Sequence, residues 1–292
     1  MYSRVNKYTV NLNKMEMRYA LNHDTNIMKF IESLTEDEQI FEFFLKSDIF
    51  SLSNVNRMGD IEFFTLLLSY ILEKSFMNKD ENIVEFFSKY ANIDEKKLES
   101  LKKELTDTLI IIQNIFNGNE FKNYFDQDEN KDPEYYIKNT RFSQKNDFLS
   151  LFCTLSNLKT SIDFQKLSED TLSEIRNFLI FMDGQIAPQS DIKITSEYGI
   201  KCVSQANTKT SREFRSKFIL EGFNYILKKD YYNLFNFSND VTTKEVKKLD
   251  LMKRLFQEID ELYGTKTNLS LENNSTFKNI LDFLWKDDDE ES

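Results

Sequence analysis

Residues that interrupt helices and form tight turns are scarce in this chain. Its 292 residues include only 6 Gly and 2 Pro, whereas ordinary proteins contain roughly 7% Gly and 5% Pro. Sheets joined by tight hairpins need more residues of these types at their turns. The scarcity therefore favours helices, and we expect a mainly α fold, a multi-helix globular bundle.

Apolar residues recur at steps of three or four along several segments, as they do on one face of a helix. The clearest stripe follows Asp94 and ends at Phe116. Asn13 with Glu16 three positions later matches a capping box, and it predicts a helix to about Leu34. Further helices are predicted over residues 39–46 after a start at Thr35, 61–76, 80–90, 145–158, 168–182, 210–229, 242–264 and 275–285.

Residues 183–207 do not follow this helical pattern. They contain Gly184, Pro188 and Gly199 and show only weak alternation of apolar and polar residues. Glycine and proline in such a segment favour turns. We therefore predict a long loop or a small hairpin here.

The charge distribution limits how this chain could meet nucleic acid. A net charge of -11 disfavours a protein whose whole surface binds phosphates. The most basic window is 201–229, where one interpretation is a helix face that contacts DNA. The other is a solvated face whose arginine stems pack on the core. The residues proposed to contact DNA are Lys209, Arg212, Arg215 and Lys217.

Histidine and cysteine are too few for several kinds of catalytic centre. His23 is the only histidine, and Cys153 and Cys202 follow no metal-binding spacing. These residues cannot form the usual zinc sites, and we predict no metal. The longest apolar run, residues 63–72, has about half of the ~20 residues that a membrane span needs. We expect a cytoplasmic protein with reduced thiols and no membrane contact.

Three stretches of the sequence together resemble a family signature. They are YSRVN at residues 2–6, VNLNKMEMRYA at residues 10–20 and RMGDIE at residues 57–62. The signature reads aromatic-x-Arg-Leu-Asn, then Leu-Asn/Ser-x-x-Glu-Leu-Arg-x-Ala, then Arg-Met-x-Asp-x-Glu at a helix opening. This signature is the one found in the ParB/sulfiredoxin-like domain of GmrSD-type, modification-dependent restriction proteins and of related phage-defence proteins. The resemblance covers residues 1–90 and continues faintly through 208–227.

The resemblance implies a composite site for a nucleoside triphosphate (NTP). In this family an N-terminal half carries Asp-Gly-Gln-Gln-Arg, the motif that hydrolyses the nucleotide and handles its phosphates. By resemblance, Tyr2 is the aromatic residue beside that motif, and Arg4 and Asn6 are polar groups that line the pocket. Glu16 and Arg18 brace the following helix against it.

The printed sequence contains no Asp-Gly-Gln-Gln-Arg. Residues 183–185 (DGQ) are not a substitute, because Ile186 follows them and they lie after the motifs that they should precede. We therefore expect the chain to be the C-terminal part of a longer ancestor. A split subunit, a truncated gene and a start codon assigned too late are the three alternatives.

Two main functions follow from these observations. In the first, the chain is the helical portion of a GmrSD-like defence protein and is not catalytic alone. Its partners would be a subunit that supplies Asp-Gly-Gln-Gln-Arg, a histidine-based nuclease subunit, or both. In the second, it is a non-catalytic helical interaction or structural protein descended from that family. An independent enzyme is disfavoured, because the sequence offers no complete set of catalytic groups.

The same reasoning predicts how the chain is divided. Residues 1–20 are expected to be a short, partly extended remnant of the ParB/sulfiredoxin-like domain. Residues 21–285 are expected to form an α-helical domain, and residues 286–292 an acidic, solvated tail.

Overall fold

The computed structural model describes residues 13–78, 81–125, 136–190 and 193–227, all within a compact unit that ends at Leu227. Helices account for most of these residues, and the described ranges contain no strand. The prediction of a mainly α, multi-helix fold is confirmed. The predicted extended start, the helices over 242–264 and 275–285, and the acidic tail lie outside the described residues.

Twelve α-helices lie within the described ranges, and three short 3-10 helices accompany them at Tyr136–Asn139, Arg141–Ser143 and Phe164–Lys166. None of the described helices combines the length and apolar character that crossing a bilayer requires. The α-helices are α1 (Lys14–Asn22), α2 (Asn26–Glu36), α3 (Glu38–Lys46), α4 (Leu52–Val55), α5 (Gly59–Glu73), α6 (Glu81–Tyr90), α7 (Glu95–Phe116), α8 (Asn119–Phe125), α9 (Lys145–Leu158), α10 (Glu169–Gln185), α11 (Lys193–Val203) and α12 (Lys209–Leu227).

Side-chain caps determine where several of these helices begin. A capping side chain accepts a hydrogen bond from a backbone N–H of the first turn, which has no partner within the helix. Both predicted starts at Asn13 and Asp94 are confirmed. Caps of this kind are Asn13, Thr25, Asp37, Asp94 and Ser168.

Two predicted helix boundaries are wrong. The first helix ends at Asn22 rather than near Leu34, because Thr25 turns the chain and caps a new helix, α2. The next helix is capped by Asp37 and not by Thr35. Hydroxyl and carboxylate side chains at such positions compete with continued helix by binding nearby backbone groups.

Helices α5 and α9 form the centre of the described unit. Every residue of α5 from Phe63 to Ile71 is buried, as is every residue of α9 from Asp147 to Ser156. A helix that is buried all round must be surrounded by others, and α9 packs against α5, α7 and α12. The prediction that residues 61–76 form a buried helix is therefore confirmed, with bounds of 59–73.

A cluster of phenylalanine rings joins α3, α5 and α9. The ring of Phe44 stacks on that of Phe50 with centroids 4.8 Å apart. It meets Phe64 edge-on at 5.2 Å and Phe148 at 5.5 Å. Such offset and edge-on contacts are the favoured arrangements of aromatic pairs, and here they fix the N-terminal half of α5 and the first turn of α9 against Phe44 of α3.

The predicted loop or hairpin over residues 183–207 is wrong, because Lys193–Val203 form helix α11. Gly199 lies inside this helix, where a Cβ atom would be 2.4 Å from the carbonyl carbon of Ala187 and 2.6 Å from the nitrogen of Pro188. The glycine therefore permits close packing of two backbones instead of forming a turn.

Candidate functional site

The second signature stretch forms the capped start of α1. The side chain of Asn13 accepts a hydrogen bond from the backbone N–H of Glu16 at 2.8 Å. The Glu16 carboxylate accepts one from the backbone N–H of Asn13 at 2.6 Å. This reciprocal pair is the capping box that the spacing of the two residues predicted.

The capping box also binds the third signature stretch through Arg57. Nε of Arg57 donates to Oε1 of Glu16 at 2.9 Å, across 41 residues of sequence. Nδ2 of Asn13 donates to the carbonyl oxygen of Arg57 at 2.9 Å. We call Asn13, Glu16 and Arg57 the capping-box junction. The backbone hydrogen bond from Asn13 lowers the pKa of Glu16 most, and Arg57 lowers it further.

A strained residue follows Arg57 and begins α5. Met58 has φ of 56° and lies in the left-handed region, with no side-chain cap at this helix end. Left-handed backbone is uncommon for residues other than glycine and costs on the order of 1 kcal/mol. The sharp turn at Met58 leaves Arg57 directed at α1 while α5 enters the core.

A buried carboxylate and a lysine lie just beyond this turn. Asp60 is 5% exposed, and its carboxylate accepts a hydrogen bond from the Ile61 N–H at 2.9 Å. Burial raises the pKa of Asp60, against the lowering effect of the backbone bonds and of the Lys145 charge. Nζ of Lys145 donates to the carbonyl oxygen of Gly59 at 3.1 Å and lies 5.2 Å from the centre of the Phe50 ring.

The residues carried over by resemblance are only partly described. Tyr2, Arg4 and Asn6 lie outside the described residues. Glu16 belongs to the capping-box junction. Arg18 is buried, and its carbonyl oxygen accepts from Nδ2 of Asn22 at 2.7 Å. Lys145, by contrast, was missed by the sequence reasoning, since no local pattern places the start of α9 beside the start of α5.

The basic window does not form the single exposed face that contact with DNA would use. Lys209 and Lys217 are exposed on α12, but Arg212 and Arg215 are buried. A guanidinium group that is closed off from solvent cannot reach a phosphate of duplex DNA. The alternative was a solvated face whose arginine stems pack on the core. The stems of Arg212 and Arg215 are inside, but their guanidinium heads are inside as well and are not solvated.

Acceptors on neighbouring segments of the chain explain how Arg215 is accommodated. Nη1 donates to the carbonyl oxygen of Lys201 at 2.5 Å, Nη2 to that of Ala206 at 2.9 Å, and Nε to Oγ of Ser150 at 3.3 Å. Every guanidinium nitrogen of Arg215 thus has a partner. It ties α12 to α9 and to the C-terminal end of α11.

The two thiols lie in environments that suppress their reactivity. Cys153 is fully buried, and burial raises its pKa well above the ordinary value. Cys202 donates to Oδ1 of Asp147 at 3.4 Å, and burial followed by the Asp147 charge raises its pKa to about 12. Asp147 also forms a buried ion pair with Arg141 at 3.1 Å. Since the thiolate is the nucleophilic form, this cluster serves packing.

The DGQ segment, residues 183–185, forms the C-terminal end of helix α10. Asp183 lies in the last turn of α10, and its Oδ1 accepts a hydrogen bond from the backbone N–H of Arg141 at 2.6 Å. Its role in the described unit is to attach the 3-10 helix at Arg141–Ser143 to α10.

Among the described residues, no group of three or more His, Cys, Asp or Glu side chains is arranged to hold a metal ion. Comparison with models of protein families, with curated proteins and with solved structures finds no match to this chain.

Proposed function

We propose that this chain is the helical portion of a GmrSD-like restriction or phage-defence protein. It acts with a polypeptide that supplies the Asp-Gly-Gln-Gln-Arg motif for NTP hydrolysis. Tyr2, Arg4 and Asn6 complete the composite site by resemblance.

The capping-box junction is the observation that supports this proposal. The resemblance rests on separate stretches of sequence, and two of them meet through the side chains of Asn13, Glu16 and Arg57. Here the Glu of one motif binds the Arg of the next, as expected if both support the same site.

The burial of the third stretch supports the same conclusion. Its Asp60 is enclosed beside the Lys145 side chain, and its helix runs through the core. The turn at Met58 therefore has a rigid base. The capping box ties α1 to that base, and residues 7–12 are all that separates residues 2–6 from Asn13 in the sequence.

The test begins with the DNA around the gene, where a reading frame that encodes Asp-Gly-Gln-Gln-Arg identifies the partner. NTP hydrolysis by the reconstituted pair is then measured for wild type, Arg4→Ala and Asn6→Ala. Lys7→Ala is the matched control, because Lys7 is a cation of the same segment outside the signature. We expect Arg4→Ala and Asn6→Ala to abolish hydrolysis and Lys7→Ala to leave it unchanged.

A second set of variants tests the junction. Glu16→Gln retains an acceptor for the Asn13 N–H but cannot pair with Arg57 by charge. We expect it to slow hydrolysis by the pair while α1 remains folded, whereas Glu38→Gln, an exposed acid in the first turn of α3, should have no effect. If Arg4→Ala and Asn6→Ala are silent in an active pair, the composite site is refuted. The chain is then a non-catalytic helical protein.

A further inference from the structure

A cavity of about 930 Å³ lies between α7, the segment that follows α9, and the N-terminal half of α10. Sites for small organic molecules have volumes of about 300–1,000 Å³. On α7 the lining residues recur at steps of three or four, so they share one face of that helix. They are Asp107, Ile110, Ile111, Asn114 and Ile115. The size of the cavity and this shared face make it a candidate binding site.

Much of the cavity wall is apolar. Ile110 is 43% exposed on α7, and the neighbouring segments contribute Ile162, Phe164 and Leu172. Phe164 begins the 3-10 helix that the side chain of Asp163 caps through a hydrogen bond from the backbone. The apolar wall is therefore carried by regular, capped structure, and it suits the apolar part of a ligand.

Lys159 brings an ammonium group to this cavity. Its Nζ atom donates to the carbonyl oxygen of Glu104 at 2.6 Å, which occupies one of the donors of the ammonium group. The Glu104 carboxylate is engaged elsewhere, by Nζ of Lys74 at 2.7 Å and Oγ of Ser156 at 2.9 Å. Burial lowers the pKa of Lys159, against the raising effect of the Glu104 and Asp107 charges. A carboxylate placed on the remaining donors would stabilise the charged form.

Asp107 supplies the opposite charge. Its exposed side chain lines the same cavity. Its charge acts on Lys159, but within the described ranges the two side chains form no direct ion pair. A ligand with a single charge would be attracted by one of these residues and repelled by the other. A ligand that carries both a carboxylate and an ammonium group complements both of them.

The other charged residues of the wall do not change this balance, because each is already paired with an opposite charge. The pairs are Arg176 with Glu120 and Glu169, and Asp163 with Lys166. Among the described residues, Lys159 and Asp107 are therefore the two charges of the wall without an ion-pair partner.

We propose that this cavity binds an α-amino acid with a large apolar side chain. The carboxylate of the ligand accepts hydrogen bonds from Nζ of Lys159, and its ammonium group donates to Asp107. Its side chain packs against Ile110, Ile162 and Phe164. Both charged groups of an α-amino acid are attached to one carbon atom, so they bridge two protein charges that are near each other without being in contact. This inference does not rest on the proposed function.

The test is a titration of the full chain with L-phenylalanine, followed by NMR of the ligand. Three related compounds each lack one feature. N-acetyl-L-phenylalanine has no ammonium group, L-phenylalaninamide has no carboxylate, and L-alanine has no large side chain. We expect each to bind about tenfold more weakly than L-phenylalanine or worse, since a charged hydrogen bond or a buried apolar side chain contributes enough for such a factor. Equal affinity for L-phenylalanine and any of the three, or no binding of L-phenylalanine, would overturn the proposal.

Two variants assign the two charged contacts. Lys159→Met should weaken the binding of L-phenylalanine by about tenfold without weakening that of L-phenylalaninamide, which has no carboxylate to lose. Asp107→Asn should weaken the binding of L-phenylalanine without weakening that of N-acetyl-L-phenylalanine. Lys97→Met and Glu99→Gln are the matched controls, because they remove exposed charges of α7 outside the cavity, and they should bind L-phenylalanine as wild type does. Wild-type affinity for L-phenylalanine in Lys159→Met or Asp107→Asn would contradict the proposed contacts.

Discussion

Replacing Arg212 by Met should leave the protein at least as stable as wild type. Removal of one partner of a buried ion pair usually costs about 3–5 kcal/mol, because the other charge is left alone. Arg212 differs, since only its Nη1 has a partner, the carbonyl oxygen of Met77 at 2.8 Å, and no carboxylate lies within hydrogen-bond distance of its buried Nε and Nη2 atoms. Met is also apolar and adaptable in shape, and it fills irregular core space well.

The magnitude follows from two opposing contributions. Burial lowers the pKa of Arg212 to about 10, from an ordinary value above roughly 12, and each pKa unit corresponds to about 1.4 kcal/mol. The charged guanidinium thus costs about 3 kcal/mol, which Met removes. Loss of the Nη1 bond leaves the Met77 carbonyl unpaired, at about 1–3 kcal/mol. The balance favours the variant by between about 0 and 2 kcal/mol.

Urea denaturation measures this balance as the free energy of unfolding. Because the folded-state pKa is lowered, the cost of Arg212 is present in full below about pH 10 and falls as the pH rises through that value. Arg215→Met is the control, and it should be strongly destabilised. A loss of about 3 kcal/mol or more in Arg212→Met, similar to the control, would refute the reasoning.

Three further predictions concern other parts of the unit. Gly199→Ala should lower the free energy of unfolding by about 1–3 kcal/mol, because the added Cβ would meet the backbone at Ala187. Helix propensity alone predicts that the alanine variant is more stable than wild type, and that result would contradict this packing. Burial raises the pKa of Asp60, so its charge is unfavourable above the folded-state pKa. Asp60→Asn should therefore be more stable relative to wild type at neutral pH, and this advantage should disappear as the pH falls through the pKa of Asp60. Urea midpoints of the two proteins measure the difference, and a difference that does not change with pH would argue against it. Cys202, with its pKa raised to about 12, should react with iodoacetamide at pH 8 only after unfolding, and rapid labelling of the native protein would show an accessible thiolate.

Local signals in the sequence predicted much of the helical framework. The capping box of Asn13 and Glu16 and the helix start at Asp94 are confirmed, because each depends on residues within one turn of the helix. The bounds predicted for α9, residues 145–158, match the structure. Such features need no knowledge of distant contacts.

The errors arise where distant residues decide the outcome. Gly199 was read as part of a loop, but its lack of a side chain serves the approach of Ala187 and Pro188. Arg212 and Arg215 were read as surface cations, although carbonyl groups from other segments receive their N–H donors. A sequence pattern does not show which carbonyls will be brought beside a buried guanidinium, so charge alone gave the wrong location.

The same limit applies to the capping-box junction. The spacing of Asn13 and Glu16 predicted their mutual hydrogen bonds, but not the contact with Arg57. Only the resemblance joined the stretches in advance, because the contact depends on how α1 packs against α5. Asp60 and Lys145 likewise come together through packing of α5 and α9.

The most direct test of the account measures NTP hydrolysis when this chain is mixed with a polypeptide that carries Asp-Gly-Gln-Gln-Arg. Each component is first assayed alone, and the chain is then titrated into a fixed amount of the other. The account predicts that hydrolysis rises with the added chain, saturates at a fixed ratio, and does not rise with the Arg4→Ala variant. A rate that stays equal to that of the separate components would contradict the central claim.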